Sequence, residues 1–233
     1  MSHPGTGRFV LSVDISSNEK AAAQFLKRLQ RYKIRATWGC PDLSSEFVQE
    51  LTDQGQDLAL LVPQDDESSQ RSWLAPWLEE QVELVRHRGL QLTTLALTNP
   101  ASANHLDLLV RHRIRVVRVP KSSGRSLHAG SVRYGIWVAQ PNMVLGEGSS
   151  WTTNRWSVHR SVRRSVANGS VLHVWLQADD LGNTPVSRIF NQVMDGVEKQ
   201  LQSGRLSSDT LSDLAAELAP SRRPAGQSIL RAA

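Results

Sequence analysis

Between Ser170 and Asn183 the chain reads Ser-Val-Leu-His-Val-Trp-Leu-Gln-Ala-Asp-Asp-Leu-Gly-Asn, which places proton-carrying groups beside groups able to hold a flat polar ligand. Side chains alternate across a strand, so His173, Trp175 and Gln177 share one face while Leu172, Val174 and Leu176 share the other. A buried parallel strand is normally close to continuously apolar. An imidazole, an indole and an amide in a row, then Asp179 and Asp180 at the carboxyl end, therefore mark a candidate site. Imidazoles and carboxylates serve as general acids and bases, and an indole offers a flat apolar surface. The plainer account makes His173 a hydrogen-bonded core histidine and the two aspartates turn residues ahead of the Thr184-Pro185 helix start.

The elements that position these groups repeat along the chain. Phe9 to Ser16 is an apolar run ending in Asp14-Ile15-Ser16, and Ser16 with Glu19 predicts a helix start ahead of Phe25, Leu26, Leu29 and Tyr32 at helical spacing. Arg35 to Cys40 predicts a second strand stopped by Pro41, and Ser44 or Ser45 caps a helix carrying Phe47, Val48 and Leu51. Further strands are expected at Asp57 to Pro63, Leu90 to Leu97, Ile114 to Val119, Tyr134 to Gln140 and from Ser170 onward. The helices between them are read around Trp77, Leu78, Val82 and Val85, from Ser102 through Leu106, Leu109 and Val110, and from Thr152 or Thr153. Lys121 to Arg133 is expected as a loop and Met143-Val144-Leu145 as a hairpin-like return. A long amphipathic helix opens at Thr184-Pro185, and Ser208-Asp209 caps a last short one. This α/β alternation implies a parallel sheet wrapped by right-handed crossovers into a barrel or a doubly wound layer. In a barrel the strand ends gather Asp14, Cys40, Pro63, Asn99, Arg118, Gln140 and Gln177 to Asp180 at one mouth.

Composition narrows the function. No Gly-x-Gly-x-x-Gly or Walker sequence follows a strand, which disfavours nucleotide binding. A single cysteine, Cys40, excludes an internal disulfide and a cysteine-built zinc site. The net charge of +5 allows a polyanion partner, but the arginines are spread from Arg8 to Arg231, so nucleic acid is not the expected ligand. Met1 to Arg8 lacks the apolar run of a signal peptide and no stretch reaches the length of a membrane span, so the expected location is cytoplasmic. One domain is expected over residues 1–219, with 220–233 a flexible tail.

Four stretches resemble the polysaccharide deacetylase family, the domain shared with nodulation-type chitooligosaccharide deacetylases. They are Ser12-Val-Asp14, Lys33-Ile-Arg-Ala-Thr-Trp38, His173-Val-Trp-Leu-Gln-Ala-Asp-Asp-Leu181 and Gly204-Arg-Leu-Ser-Ser-Asp-Thr-Leu-Ser-Asp-Leu214, and the likeness runs from Phe9 to about Leu218. The resemblance implies a distorted seven-stranded β/α barrel of the glycoside hydrolase/deacetylase kind. It further implies that an Asp-Asp pair ends the first strand as base and metal ligand, that two third-strand histidines complete a divalent metal site, and that a last-strand His-Pro supplies the general acid. Asp14 matches the base, but Ile15 replaces the metal-binding aspartate, Leu61 stands about where a histidine belongs, and Gln177-Ala178 replaces His-Pro.

Metal-assisted amide hydrolysis needs a cation to activate water and polarise the carbonyl. Isoleucine and leucine cannot ligate one, and glutamine cannot exchange protons near neutral pH. The expectation is a deacetylase-like protein of carbohydrate metabolism, impaired in catalysis, holding no metal and acting as a saccharide-binding or regulatory homologue, with a protein partner in glycan assembly as a further expectation. An active carbohydrate N-deacetylase with a rebuilt site, drawing on Asp14, His173, His128 and Asp179 or Asp180, stays open, as does a basic polyanion-binding protein. The candidate catalytic residues are Asp14 as base, His173 and Asp180. The candidate substrate contacts are Trp38, Arg118, Trp175 and Gln177, with Trp151 in a loop, while Trp73, Trp77 and Trp156 are expected to pack on helices.

Overall fold

The computed structural model describes residues 6–16, 18–63, 70–98, 105–120, 131–146 and 155–218. Its strands are β1 (Gly7–Asp14), β2 (Thr37–Cys40), β3 (Asp57–Leu61), β4 (Thr94–Ala96), β5 (Val116–Arg118), β6 (Ser131–Arg133), β7 (Ile136–Ala139), β8 (Met143–Leu145), β9 (Val171–Gln177) and β10 (Leu206–Asp209). The helices are α1 (Glu19–Tyr32), α2 (Glu46–Asp53), α3 (Arg71–His87), α4 (Leu106–Arg111), α5 (Arg155–Asn168), α6 (Thr184–Gln202) and α7 (Leu211–Leu218). The strands lie in the order β7, β5, β4, β3, β2, β1, β9, β8, all parallel, in a curled half-barrel. β10 pairs with the start of β1, and β6 adds antiparallel to β7.

The parallel sheet thus has eight strands rather than seven. Met143–Leu145 is no hairpin return but an edge strand beside β9. Asn142 clips it there, its N–H donating to the His173 carbonyl at 2.9 Å and its Oδ1 accepting from the His173 N–H at 2.7 Å. Ser208-Asp209 belongs to β10, and α7 is capped instead by Thr210 and Asp213, each accepting at its side chain from the other's N–H. At α1 the cap is Asn18, whose Oδ1 accepts from Ala21, while Ser16 donates to Asp179. Residues 131–133, expected in a loop, form β6, and the β6–β7 hairpin turns at Tyr134-Gly135, both at positive φ, with Tyr134 85% exposed. Val110 turns outward from α4 rather than into the core.

Two apolar layers divide the sheet's faces. On the outer face Phe9, Leu11, Val13, Trp38, Leu58 and Leu60 meet Phe25, Leu26 and Leu29 of α1 and Phe47 of α2, each buried side chain contributing about 1.5–3 kcal/mol. The inner face is smaller and more polar, carrying Val10, Ser12, Asp14, Thr37, Gly39, Val116, Arg118, His173 and Trp175. Its floor is α7, whose Leu211, Leu214 and Ala215 pack on Val10, Val116, Trp137 and Ala139. The Asp57 carboxylate anchors that helix by accepting from the hydroxyls of Thr37 at 2.8 Å and Ser212 at 2.7 Å. Burial pushes Asp57 above the ordinary carboxylate range, and these hydrogen bonds oppose the push. The closed floor leaves the carboxyl ends of the strands as the open end.

Candidate active site at the barrel mouth

Asp14 ends β1 with its side chain turned inward and only 4% of its surface exposed. Its Oδ2 accepts from Arg118 Nη2 on β5 at 2.7 Å and from Trp175 Nε1 on β9 at 2.9 Å. Arg118 is 3% exposed, and its guanidinium carbon lies 5.0 Å from the centre of the Trp175 ring. A buried carboxylate needs a paired cation and further donors, and this one has both. Asp14 Oδ1 and Arg118 Nη1 are buried with no hydrogen-bond partner among the described residues. Gly39 on β2 makes the fit possible, because a Cβ there would collide with Asp14 Oδ1.

One step deeper, Ser12 Oγ and His173 Nε2 lie 2.6 Å apart, both groups buried. Desolvation first, and the Arg118 charge second, hold the His173 pKa down at about 3, against a backbone hydrogen bond at Gln140. His173 is therefore a neutral imidazole tied to Ser12, a layer below the mouth.

Of the residues singled out from the sequence, the fold joins Asp14, Arg118 and Trp175 directly and sets Gln177, exposed, opposite Asp14 in the β1–β9 register. Asp180 lies in a 3₁₀ turn, Ala178–Gly182, against Gly146. Trp38 is not at the mouth. It pairs with Val13 on the outer face, packs between Phe25 and Phe47 at centroid distances of 5.9 Å, and donates to Gln56 Oε1 at 3.1 Å. Strand parity put it there, since its neighbours Thr37 and Gly39 took the inner face. Cys40 likewise faces the outer core, where burial pushes its thiol up. Trp73 and Trp77 stack on each other along α3. Asn99, His128, Trp151 and the caps at Ser102, Thr152 and Thr153 lie outside the described residues. Ser12 and Gly39 were missed: Ser12 stands two residues before Asp14 on the same strand face, a signal that alternation carries, whereas Gly39 meets Asp14 only through the β1–β2 register.

The divalent metal implied by the resemblance does not fit these residues. Ile15 is 5% exposed in the helix-side core, and the third-strand residues on Asp14's side are Ala59 and Leu61. Among the described residues no group of three or more His, Cys, Asp or Glu is placed to hold a metal. The cation beside Asp14 is a guanidinium.

The parallel sheet with its flanking helices defines a fold class, a β/α barrel like that of the polysaccharide deacetylases. No known protein family and no curated protein matches the sequence. Solved structures match its fold. The chain is similar to the Xyl-CE4 domain of a multidomain xylanase from the hindgut metagenome of Trinervitermes trinervoides, with 13% identity, 93% of each chain covered and a TM-score of 0.57. It is also similar to a family 4 carbohydrate esterase from Streptomyces lividans, at 10% identity over 89% of this chain and 94% of that one, TM-score 0.55. A third match is a CE4 family pseudoenzyme from Bacillus anthracis, at 11% identity over 91% of this chain and 66% of that one, TM-score 0.52. The likeness at these identities is one of fold, and the chain has the fold of the CE4 deacetylases.

Proposed function

We propose that this protein is a saccharide-binding homologue of the polysaccharide deacetylases with impaired hydrolytic chemistry. The observation that carries the reading is the engagement of Asp14 Oδ2 by Arg118 and Trp175 at a mouth whose Ile15 and Leu61 offer no metal ligands. Asp14 Oδ2 is committed to a guanidinium and an indole N–H, so that oxygen can turn to a reacting water only by giving up both hydrogen bonds. Gln177, where the resemblance expects a general acid, cannot give a proton. What the mouth keeps is recognition: a half-buried indole beside a carboxylate, with an exposed amide in register. The fold's other bearers include a xylanase-borne domain and a peptidoglycan N-acetylglucosamine deacetylase, which supports a glycan as the ligand class. Another bearer is named as a pseudoenzyme, which supports a barrel kept without its chemistry.

Tryptophan fluorescence and calorimetric titration with chitooligosaccharides test the binding, with acetate release from the same sugars and elemental analysis of the dialysed protein run in parallel. The expected result is modest binding, lost with Asp14→Ala plus Trp175→Ala, without acetate release or a stoichiometric divalent metal. Acetate release abolished by Asp14→Asn would overturn the reading in favour of an active N-deacetylase with a rebuilt site.

A further inference from the structure

An open groove of about 650 Å³ runs along the outside of the barrel between α1 and the 3₁₀ turn that follows β9. One wall is a single face of α1, where Lys20, Gln24, Lys27, Arg28 and Arg31 recur at helical spacing, opposite the face that buries Ala22, Leu26 and Leu29. The other wall is Ala178, Asp179, Leu181 and Gly182. Four cations thus meet one carboxylate. None of the four has an ion-pair partner among the described residues. Arg28 is fixed, donating to Ser187 Oγ and Asn191 Oδ1 of α6 with its guanidinium over Phe190. The carboxylate, Asp179, is engaged at Oδ2 by the Ser16 hydroxyl, while its Oδ1 is buried without a hydrogen-bond partner among the described residues.

We propose that this groove binds an acidic polysaccharide, in continuity with the mouth. The proposal rests on the saccharide reading above. Cations gathered on one helix face raise the local concentration of a polyanion, and neutralising these costs no ion pair among the described residues. Lys20 to Arg31 spans roughly 16 Å of helix axis, long enough to follow several sugar rings and too long for a single small anion. Single-stranded nucleic acid fits less well, because such grooves stack bases on exposed aromatic rings and the one aromatic here, Phe25, is buried. The groove's position supports a continuous chain: Asn18 and Asp179 follow directly from β1 and β9, the strands that carry Asp14 and Trp175. Ser16, two residues beyond Asp14, donates to Asp179, two residues beyond Gln177.

The test measures binding of polygalacturonate oligomers of about eight residues by fluorescence anisotropy, beside neutral chitohexaose and a single-stranded oligonucleotide of equal charge, at about 50 mM and about 500 mM salt. The triple change Lys20→Gln, Lys27→Gln, Arg31→Gln is expected to weaken polygalacturonate at least about tenfold while leaving chitohexaose within about twofold. The charge-retaining pair Lys20→Arg, Lys27→Arg is expected to bind as the unaltered protein does, which separates loss of charge from loss of fold. High salt should abolish the difference between proteins. Equal polygalacturonate binding by the triple variant, no binding by any protein, or oligonucleotide binding as tight as the acidic glycan would each overturn the proposal. Polygalacturonate binding that depends on these cations, with no response to chitohexaose, would sustain the groove and defeat the neutral-glycan reading of the mouth instead.

Discussion

Arg118 and Asp14 stand 104 residues apart in the chain, yet their side chains meet at 2.7 Å inside the barrel, joining β5 to β1 across the strands between them. A charge pair this deep earns little net stability when intact, because both ions give up their hydration. Breaking it is another matter, since removal of one partner strands the other in a low-dielectric interior.

Arg118→Leu is therefore expected to cost about 3–5 kcal/mol in urea unfolding at neutral pH. The double change Asp14→Asn, Arg118→Leu should recover a good part of this, since the amide carries no charge and can still accept from the Trp175 indole. A double variant as unstable as the single one would show that Arg118 stabilises by packing on Trp175 rather than by pairing.

The buried His173 sets a pH dependence. Its folded pKa, about 3, lies below its ordinary value of 6.5, so between them the unfolded chain binds a proton that the folded chain refuses. Stability present above 6.5 is lost as the pH falls, by about 2 kcal/mol between pH 7 and pH 5. Asp57 works in the opposite sense: its raised folded pKa adds stability as the pH falls through that value. Urea unfolding of the unaltered protein and of His173→Gln at pH 7 and pH 5 isolates the histidine, and the variant should lose most of the slope in this window. His173→Ala at pH 7 should cost about 1–3 kcal/mol through the void and the unpaired Ser12 hydroxyl.

The two tryptophans singled out as sugar contacts should now separate. Trp38→Ala is expected to cost about 3–5 kcal/mol, because it empties the space between Phe25 and Phe47, and to leave glycan affinity of the folded protein unchanged. Trp175→Ala should reverse the pattern, with a smaller stability loss and weakened glycan binding. Calorimetric titration and thermal melting of both variants give the comparison. Glycan binding lost with Trp38→Ala alone would contradict the assignment of that ring to the outer core.

The way these two rings diverged shows what the sequence could and could not convey. Alternation along β9 places His173, Trp175 and Gln177 together from the residues alone, and the repeat of apolar runs and amphipathic helices implies the parallel sheet. Alternation also separates Trp38 from Gly39, but which of the two parities faces inward depends on the register with β1, and register is a tertiary property. The same limit hides Arg118, whose partner is fixed only when β5 and β1 curl toward each other. Edge strands are harder still. Met143–Leu145 pairs in parallel with β9 and is pinned there by two hydrogen bonds between Asn142 and the His173 backbone, a pairing that no local propensity encodes.

Gly39 gives the sharpest test of the site's construction. Asp14 is fixed at Oδ2 by Arg118 and Trp175, so its Oδ1 cannot swing away from β2, and a Cβ at position 39 would strike Oδ1 and lie 3.2 Å from the carboxylate carbon. The obstacle is a clamped carboxylate rather than the loose end of a flexible chain. Gly39→Ala is accordingly expected to cost about 1–3 kcal/mol through overpacking, and to weaken glycan binding by moving the carboxylate out of line with Trp175. The strain has one source, so Gly39→Ala placed on top of Asp14→Ala should cost much less than it does alone. Contacting residues commonly show such coupling, on the order of 0.5–3 kcal/mol, in a double-mutant cycle. Equal cost in both backgrounds would mean that β2 resists the methyl group for reasons of its own, and that Gly39 is no part of the mouth's design.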